Sequence, residues 1–211
     1  MTLREKRAAR LTELTAIERP LREDGFKRIA GLDEAGRGPL AGPVVAACVI
    51  MPPDPLIVGV DDSKKLSERR REELAQRIRS AALAYCIAVV DVATIEEINI
   101  LESARRAFQQ SLEGMPVVPD YIFTDAMDIA TSVPHCALTG ADARVYTVAA
   151  ASILAKTARD AIMRDLDRQF PGYGFAQHKG YGTAAHREAI LRLGPCPAHR
   201  RSFLKKLLNN E

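Results

Sequence analysis

No stretch of this chain is apolar for long enough to cross a membrane. The longest apolar run, residues 43–53, is strand-like and punctuated by proline. The opening MTLREKRAARL alternates charged and apolar residues, with no apolar stretch leading to a small-residue cleavage site, so no secretory signal is expected. Cysteine is sparse. Cys48, Cys86, Cys136 and Cys196 stand 38, 50 and 60 residues apart and form no C-x-x-C pair, which argues against a zinc ribbon or a disulfide scaffold. Reduced, mostly buried thiols in a cytoplasmic protein are expected instead. Cys196-Pro-Ala-His199 has the spacing of half a metal site, but no second half is visible. Internal repeats and low-complexity tracts are absent. Charge of one sign is scarce as well: 30 basic against 27 acidic residues leave +3, too mild to identify a polyanionic partner.

What is present suits one sizeable core. The chain has 211 residues, 47% of them hydrophobic and 27% charged, as in ordinary globular proteins. From His186 onward Arg187, Arg192, Arg200, Arg201, Lys205 and Lys206 face only Glu188 and Glu211. A basic C-terminal lobe suits a phosphate backbone, although a solvated helix face has the same composition.

Residues 2–19 have the pattern of a charged amphipathic helix, with Leu3, Leu11, Leu14, Ile17 and Leu21 on or near one face. Pro20 and Gly25 are expected to break it. Residues 27–32 then form a short strand ending at Asp33, and residues 44–51 (VVAACVIM) a buried strand. Ser67 is an N-cap for a helix carrying Leu74, Ile78 and Ala82 on one face. Residues 83–92 are another buried strand. Thr94-Ile-Glu-Glu97 is a capping box opening a helix to about Glu113. A strand over 119–124 ends at Asp125, and 132–138 is a further short one. A long helix covers about 143–169, its alanines at 149–151 implying close packing on a sheet. FPGYGFAQHKGYGT is a loop, Thr183 caps a helix that stops at Gly194, and a last helix covers 202–208. Strands first, then alternating helix and strand, indicate an α/β domain.

Acids stand at strand ends: Asp33 and Glu34 after the first, Asp125 after a later one, Asp142 before the long helix. Sites in open α/β sheets form beyond the carboxyl ends of strands. Period two sends adjacent side chains to opposite faces, so Asp33 and Glu34 share a site only if the chain leaves strand geometry there. Carboxylates clustered without a lysine among them are electrostatically costly. Mg²⁺ or Mn²⁺, which prefer oxygen ligands, relieve that cost, and such a site performs two-metal phosphodiester cleavage. Any one of these acids taken alone reads as a solvated strand end.

The loop from Gly36 to Gly42 is G-x-G-x-x-x-G. It matches neither the dinucleotide fingerprint nor a P-loop, yet its exposed amides suit close approach to a sugar-phosphate. Ser63-Lys64-Lys65 offers a hydroxyl and ammonium groups to phosphate. Residues 177–182 (QHKGYG) set an aromatic and basic groups between glycines, which suits stacking on a sugar or base; alone, His178 or Tyr181 reads as structural.

Taken together these blocks resemble the bacterial ribonuclease HII family, the type 2 ribonucleases H. GLDEAGRGPLAGP from Gly31 carries the resemblance first. DSKKLS from Asp62, AASILAK from Ala150, YGFAQHKGYGT from Tyr173 and RRSF from Arg200 follow in the family's order, over about residues 28–203. The resemblance implies a ribonuclease H-like fold: a five-stranded mixed sheet flanked by helices, with a small helical C-terminal segment. It implies an endonuclease that cuts the RNA strand of RNA–DNA hybrids and nicks 5′ of ribonucleotides embedded in duplex DNA, leaving 3′-hydroxyl and 5′-phosphate ends.

By the same resemblance Asp33, Glu34, Asp125 and Asp142 are the catalytic, metal-holding acids, with Mn²⁺ or Mg²⁺ as cofactor. Gly36, Arg37 and Gly38 form the ribose-reading turn and Tyr181 senses the junction. Ser63 and Lys64 contact phosphate, with Lys65 as the alternative lysine. Two positions depart from the family pattern. Ala126-Met127 replaces the common Gly-Asn after the third acid, leaving Asp128 as a second acid nearby. Gly140-Ala141 replaces Lys-Gly before Asp142. The expected organisation is an N-terminal helical extension (1–26), a catalytic domain (27–171) and a basic helical C-terminal segment (172–211). A cytoplasmic monomer without membrane contact is expected. Two rival readings are an RNA–DNA-binding module with impaired catalysis, which intact acids oppose, and a metabolic enzyme using metal and a nucleotide, which the basic tail and the Tyr181 loop oppose.

Overall fold

In the computed structural model, which describes residues 2–208, VVAACVI is buried along its whole length as strand β2 (Val44–Ile50). It is one of the inner strands of a five-stranded mixed sheet built from β1 (Ile29–Ala35), β2, β3 (Ala84–Val90), β4 (Tyr121–Asp125) and β5 (His135–Leu138). The strand order is β3-β2-β1-β4-β5. β1 pairs antiparallel with β2, and β2 with β3, while β1 with β4 and β4 with β5 are parallel. The helices are α1 (Leu3–Thr15), α2 (Glu18–Glu23), α3 (Glu68–Ala81), α4 (Val92–Glu113), α5 (Tyr146–Gln169), α6 (Phe175–His178), α7 (Ala184–Leu193) and α8 (Arg201–Leu208). Two expectations fall outside the described residues: the Leu3 side chain on the apolar face of α1, and Glu211.

Helix α5 covers one sheet face and α4 the other. The alanines at 149–151 are fully buried, as close packing on a sheet requires. Gly31 on β1 makes that closeness possible, since a Cβ there would overlap the backbone of Thr147 and Val148 in α5. The start of α5 is therefore laid directly on the strand that carries Asp33 and Glu34.

Several elements depart from the sequence-based expectation. β1 does not stop at Asp33 but runs to Ala35, because Ala46 and Val45 of β2 continue the ladder opposite Glu34 and Ala35. β3 is half exposed rather than buried, as befits an edge strand. The acceptor that starts α4 is Asp91, three residues before Thr94, and Thr94 donates its N–H to it. Asn99 (φ 66°, ψ 169°) interrupts α4, and its Oδ1 accepts from the N–H groups of Leu101 and Glu102, restarting the helix. The break expected at Pro20 lies earlier. Pro20 sits in the first turn of α2, where its missing N–H has no helical partner to lose. Ser67 and Thr183 cap α3 and α7 as expected. No described helix is long and apolar enough to cross a membrane.

Candidate active site

Asp33 is nearly fully buried on β1 (4% exposed), and Asp125 ends the neighbouring parallel strand β4. Asp142 is equally buried in the single 3₁₀ turn Ala141–Ala143 that leads into α5. One carboxylate oxygen from each of these three lies within 4.8 Å of the others. The turn is tied to β4 because the Ala141 N–H donates to Asp125 Oδ1 (2.9 Å). Like charges this close are held against repulsion, and the Asp33 carboxyl shows it. Burial pushes it well above the usual carboxylate range, Glu34, Asp125 and Asp142 push it the same way, and Ser152 opposes. Burial also raises Asp125, with Asp142 adding to the shift.

Glu34 obeys the strand alternation. It is outside the three-acid group, and no twist out of strand geometry brings it there. It nevertheless lines the same cleft, about 200 Å³ in volume, with Asp33, Asp125, Gly36, Arg37, Gly38, Ser63, Lys64 and Tyr181. Arg37 Nη1 reaches Glu34 Oε1 at 3.4 Å, while Oε2 is buried and has no hydrogen-bond partner among the described residues. Burial raises the Glu34 carboxyl and Arg37 opposes the shift. A buried carboxylate oxygen left unsatisfied beside three crowded acids fits a donor set waiting for hard divalent cations. Asp128 is not part of that set: it is exposed and bonds to His135 Nε2 at 2.8 Å. This geometry favours Asp125 over Asp128 as the third acid.

The expected phosphate contacts are partly engaged elsewhere. The Ser63 hydroxyl is turned inward to Ser152 Oγ (2.8 Å). Lys64 Nζ donates to Asp142 Oδ2 at 3.0 Å. Burial works against the Lys64 ammonium, but the bond to Asp142 together with the charges of Asp142, Asp33 and Asp62 holds its pKa above the ordinary value. Lys65 is exposed and does not line the cleft. Among the polar residues of the cleft, sequence reasoning does not single out Ser152 and Lys156. Their i,i+4 spacing on α5, within a block already quoted for other reasons, was the available signal.

Residues 36–38 lie beside Tyr181, which is 47% exposed at the mouth of the cleft. Gly36 has φ 105°, and a Cβ there would strike the Arg159 side chain and the Pro43 carbonyl (2.6 Å). Gly38 differs: among the described residues its Cβ would meet only the Tyr181 ring, at 3.9 Å. The following chain is threaded between two others, with Leu40 N–H donating to Gly180 O and Gly42 N–H to Ala198 O, both at 2.8 Å. Arg200 belongs to this frame, not to a phosphate-facing surface. It is fully buried and donates to the carbonyls of Gly36, Arg37, Pro39 and Gly42. Arg159 does the same for Pro43, Ala41 and Lys179. Burial pulls the Arg200 guanidinium down to about 9. The other five basic residues of the C-terminal stretch are exposed.

Cys196 and His199 are engaged with each other, and among the described residues they belong to no three-ligand group. The Cys196 N–H donates to His199 Nδ1 (3.0 Å), and His199 Nε2 lies 3.1 Å from His186 Nε2. His186 Nδ1 in turn reaches the Tyr181 carbonyl (2.9 Å). All four cysteines are free.

The family model described as Ribonuclease HII matches residues 30–206. The chain belongs to the ribonuclease HII family. It is 46% identical over 205 residues to the ribonuclease HII of Acetivibrio thermocellus, covering 97% of this chain and 80% of that one. To the ribonuclease HII of Moorella thermoacetica it is 50% identical over 195 residues, covering 92% and 95%. Among solved structures it is similar to ribonuclease H2 from Pyrococcus horikoshii (TM-score 0.72, 26% identity, 87% of this chain and 98% of that one). A Bst ribonuclease HIII in complex with Mn²⁺ shares the fold (TM-score 0.66, 22% identity, 88% and 70%). As a member of the ribonuclease HII family the chain is an endoribonuclease that degrades RNA in RNA–DNA hybrids.

Proposed function

We propose that this ribonuclease HII also nicks duplex DNA 5′ of a single embedded ribonucleotide, by two-metal hydrolysis at Asp33, Glu34, Asp125 and Asp142. The observation that carries the reading is one cleft in which the acids adjoin the 36–38 turn and Tyr181. Asp33, Asp125 and Asp142, with Glu34 from the strand edge, would hold Mg²⁺ or Mn²⁺. Such ions generate hydroxide at neutral pH and stabilise the leaving oxygen. The protein's own part is position. Arg200 occupies the carbonyls of residues 36 and 37, while among the described residues the N–H groups of Arg37 and Gly38 find no acceptor. Those free donors suit a ribose 2′-hydroxyl, the group that distinguishes RNA from DNA. Tyr181, exposed beside that turn, would pack against the next nucleotide. Lys64, three-quarters exposed, is shared between Asp142 and an approaching phosphate. RNA–DNA hybrid and ribonucleotide-containing duplex are the partners, met by a monomer.

Cleavage mapping on a DNA duplex with one ribonucleotide tests this directly. The expected result is a single nick 5′ of the ribonucleotide with a 3′-hydroxyl end, absent in chelator and restored by Mg²⁺ or Mn²⁺. Cutting of hybrid alone would remove the embedded-ribonucleotide activity, and full activity in chelator would remove the metal mechanism.

A further inference from the structure

The residues before the family match begin at α1, yet two of their side chains end at the segment that carries Asp142. Arg10 Nη2 donates to the Ala143 carbonyl (2.7 Å) and to Asp61 Oδ1 (2.7 Å), and Arg10 Nε reaches the same Asp61 oxygen at 3.0 Å. Asp61 Oδ1 also accepts the Asp62 N–H (2.9 Å), so one guanidinium joins the loop of Lys64 to the turn of Asp142. Those two loops meet again where Lys64 bonds to Asp142. On the other side, Glu18 is 2% exposed and its Oε1 accepts the Thr147 N–H at 2.7 Å. The N-cap of α5, Val145, has no side chain that can cap, so Glu18 supplies from a distance the acceptor that the local sequence lacks. Leu11 and Leu14 anchor the same segment in the core against α5.

Asp142 needs such support. It stands in a single turn between β5 and α5 and is pressed against two other acids, which repel it. No sheet ladder fixes a 3₁₀ turn. Its restraints are Asp125 from one side, Lys64 from a second, and the bonds at Ala143 and Thr147 from a third.

We infer that α1 and α2 are a positioning element of the catalytic centre: Arg10 and Glu18 bracket residues 143–147 and so aim Asp142 at the three-acid cluster. The inference rests on the reading of Asp142 as a metal ligand. Arg10 touches neither substrate nor metal in this scheme; it acts through Ala143 and Asp61. The competing role is a phosphate contact, since Lys6, Arg7 and Arg70 line a shallow groove beside Arg10.

The full chain would be compared as wild type, Arg10→Ala, Arg10→Lys and Asp142→Asn. Mn²⁺ binding is measured by calorimetry without nucleic acid, kcat and KM on a hybrid, and melting temperature in chelator. Arg10→Ala is expected to weaken Mn²⁺ binding about 10-fold, the scale on which residues that orient metal ligands act. Its kcat falls at limiting Mn²⁺ and recovers at excess, while KM for the hybrid stays unchanged. Arg10→Lys keeps one bond and is expected to fall between. Mn²⁺ affinity unchanged in Arg10→Ala but weakened in Asp142→Asn would overturn the inference alone. A raised KM with a flatter salt dependence and intact Mn²⁺ affinity would make Arg10 a phosphate contact, which also overturns it. Mn²⁺ affinity untouched by Asp142→Asn would remove the ligand reading, and the inference with it.

Discussion

Arg200 Nη2 lies 2.6 Å from the Gly36 carbonyl, so a C-terminal charge holds the turn that follows β1, the strand of Asp33 and Glu34. Among the described residues Arg200 makes no ion pair; carbonyl oxygens are its hydrogen-bond partners. Removing it would leave several buried carbonyls unsatisfied, at roughly 1–3 kcal/mol each. Arg200→Ala is therefore expected to lower the melting temperature sharply and to abolish turnover on every substrate. Arg201→Glu, on the exposed neighbour, is expected to leave stability alone and to weaken duplex binding with a flatter salt dependence. Thermal melts and binding at several salt concentrations separate the two. A normal melt with a changed salt slope in Arg200→Ala would contradict its structural role.

The raised Asp33 carboxyl makes a prediction about the metal-free protein. Its folded pKa lies above the unfolded value, so its ionisation opposes folding. Stability from this group is full below the ordinary carboxylate range and is lost as pH rises through the raised folded pKa. Asp33→Asn should abolish turnover yet make the metal-free protein more stable at neutral pH. The gain should shrink as pH falls towards the ordinary carboxylate range. Asp125→Asn should likewise keep the fold and lose activity, and Asp128→Asn should be mild. Urea unfolding in chelator across pH reads the difference curve. A less stable Asp33→Asn at neutral pH would mean that the acids are not crowded as described.

His199 gives the opposite slope. Burial, helped by His186, lowers it to about 4, so it stays neutral in the fold. The unfolded chain takes up that proton first, and stability is lost as pH falls from the ordinary histidine value towards 4. His199→Gln is expected to flatten the acid limb of the stability curve over that window. Because His199 is linked through His186 to the Tyr181 carbonyl, cleavage by the wild type should decline over the same range. An acid limb unchanged in the variant would assign the loss to other groups.

How much of this was legible in the sequence follows from what each feature depends on. Ser67, Thr183 and the run at 44–51 depend on neighbours in sequence, and each formed the element expected of it, the strand ending one residue sooner at Ile50. The acids stand at or near the carboxyl ends of strands, and β1 and β4, as neighbouring parallel strands, bring those ends side by side. What was hidden depends on distant partners. Arg200 reads as one more surface charge until residues 36–42 are folded over it. Glu34 appeared to need a bent chain because the continuation of β1 to Ala35 is set by β2. Asp91 and Thr94 both offer a local capping signal, and in the structure Asp91 Oδ1 accepts the Thr94 N–H. Arg10 and Glu18 lie in a segment without a motif, and the partners that tie them to the start of α5, Ala143 and Thr147, are more than a hundred residues away.

The two sides of the cleft should separate the reading of a ribose from the reading of a junction. Gly36 tolerates no side chain even in the free protein, because a Cβ would meet Arg159 and the Pro43 carbonyl at a positive φ. Gly38 has room, its Cβ meeting only the Tyr181 ring at 3.9 Å. Gly36→Ala is thus expected to unfold or misplace the turn, whereas Gly38→Ala should melt like wild type. Any loss in Gly38→Ala then reports on substrate approach, and it should be similar on a continuous hybrid and on a duplex with one ribonucleotide, since both present a 2′-hydroxyl. Tyr181 is exposed and free to pack on a sugar. A ring pressed against a deoxyribose packs less well where a 2′-hydroxyl intrudes, so it favours an RNA-to-DNA step. Tyr181→Ala should lose about 10-fold or more on the single ribonucleotide, the scale of 1–3 kcal/mol measured for stacking platforms, and clearly less on the hybrid. Initial rates of both variants on both substrates at one salt concentration decide the matter. Equal losses for Tyr181→Ala would leave the ring an anchor of its loop, and a Gly38→Ala enzyme as fast as wild type would move the ribose contact away from this turn.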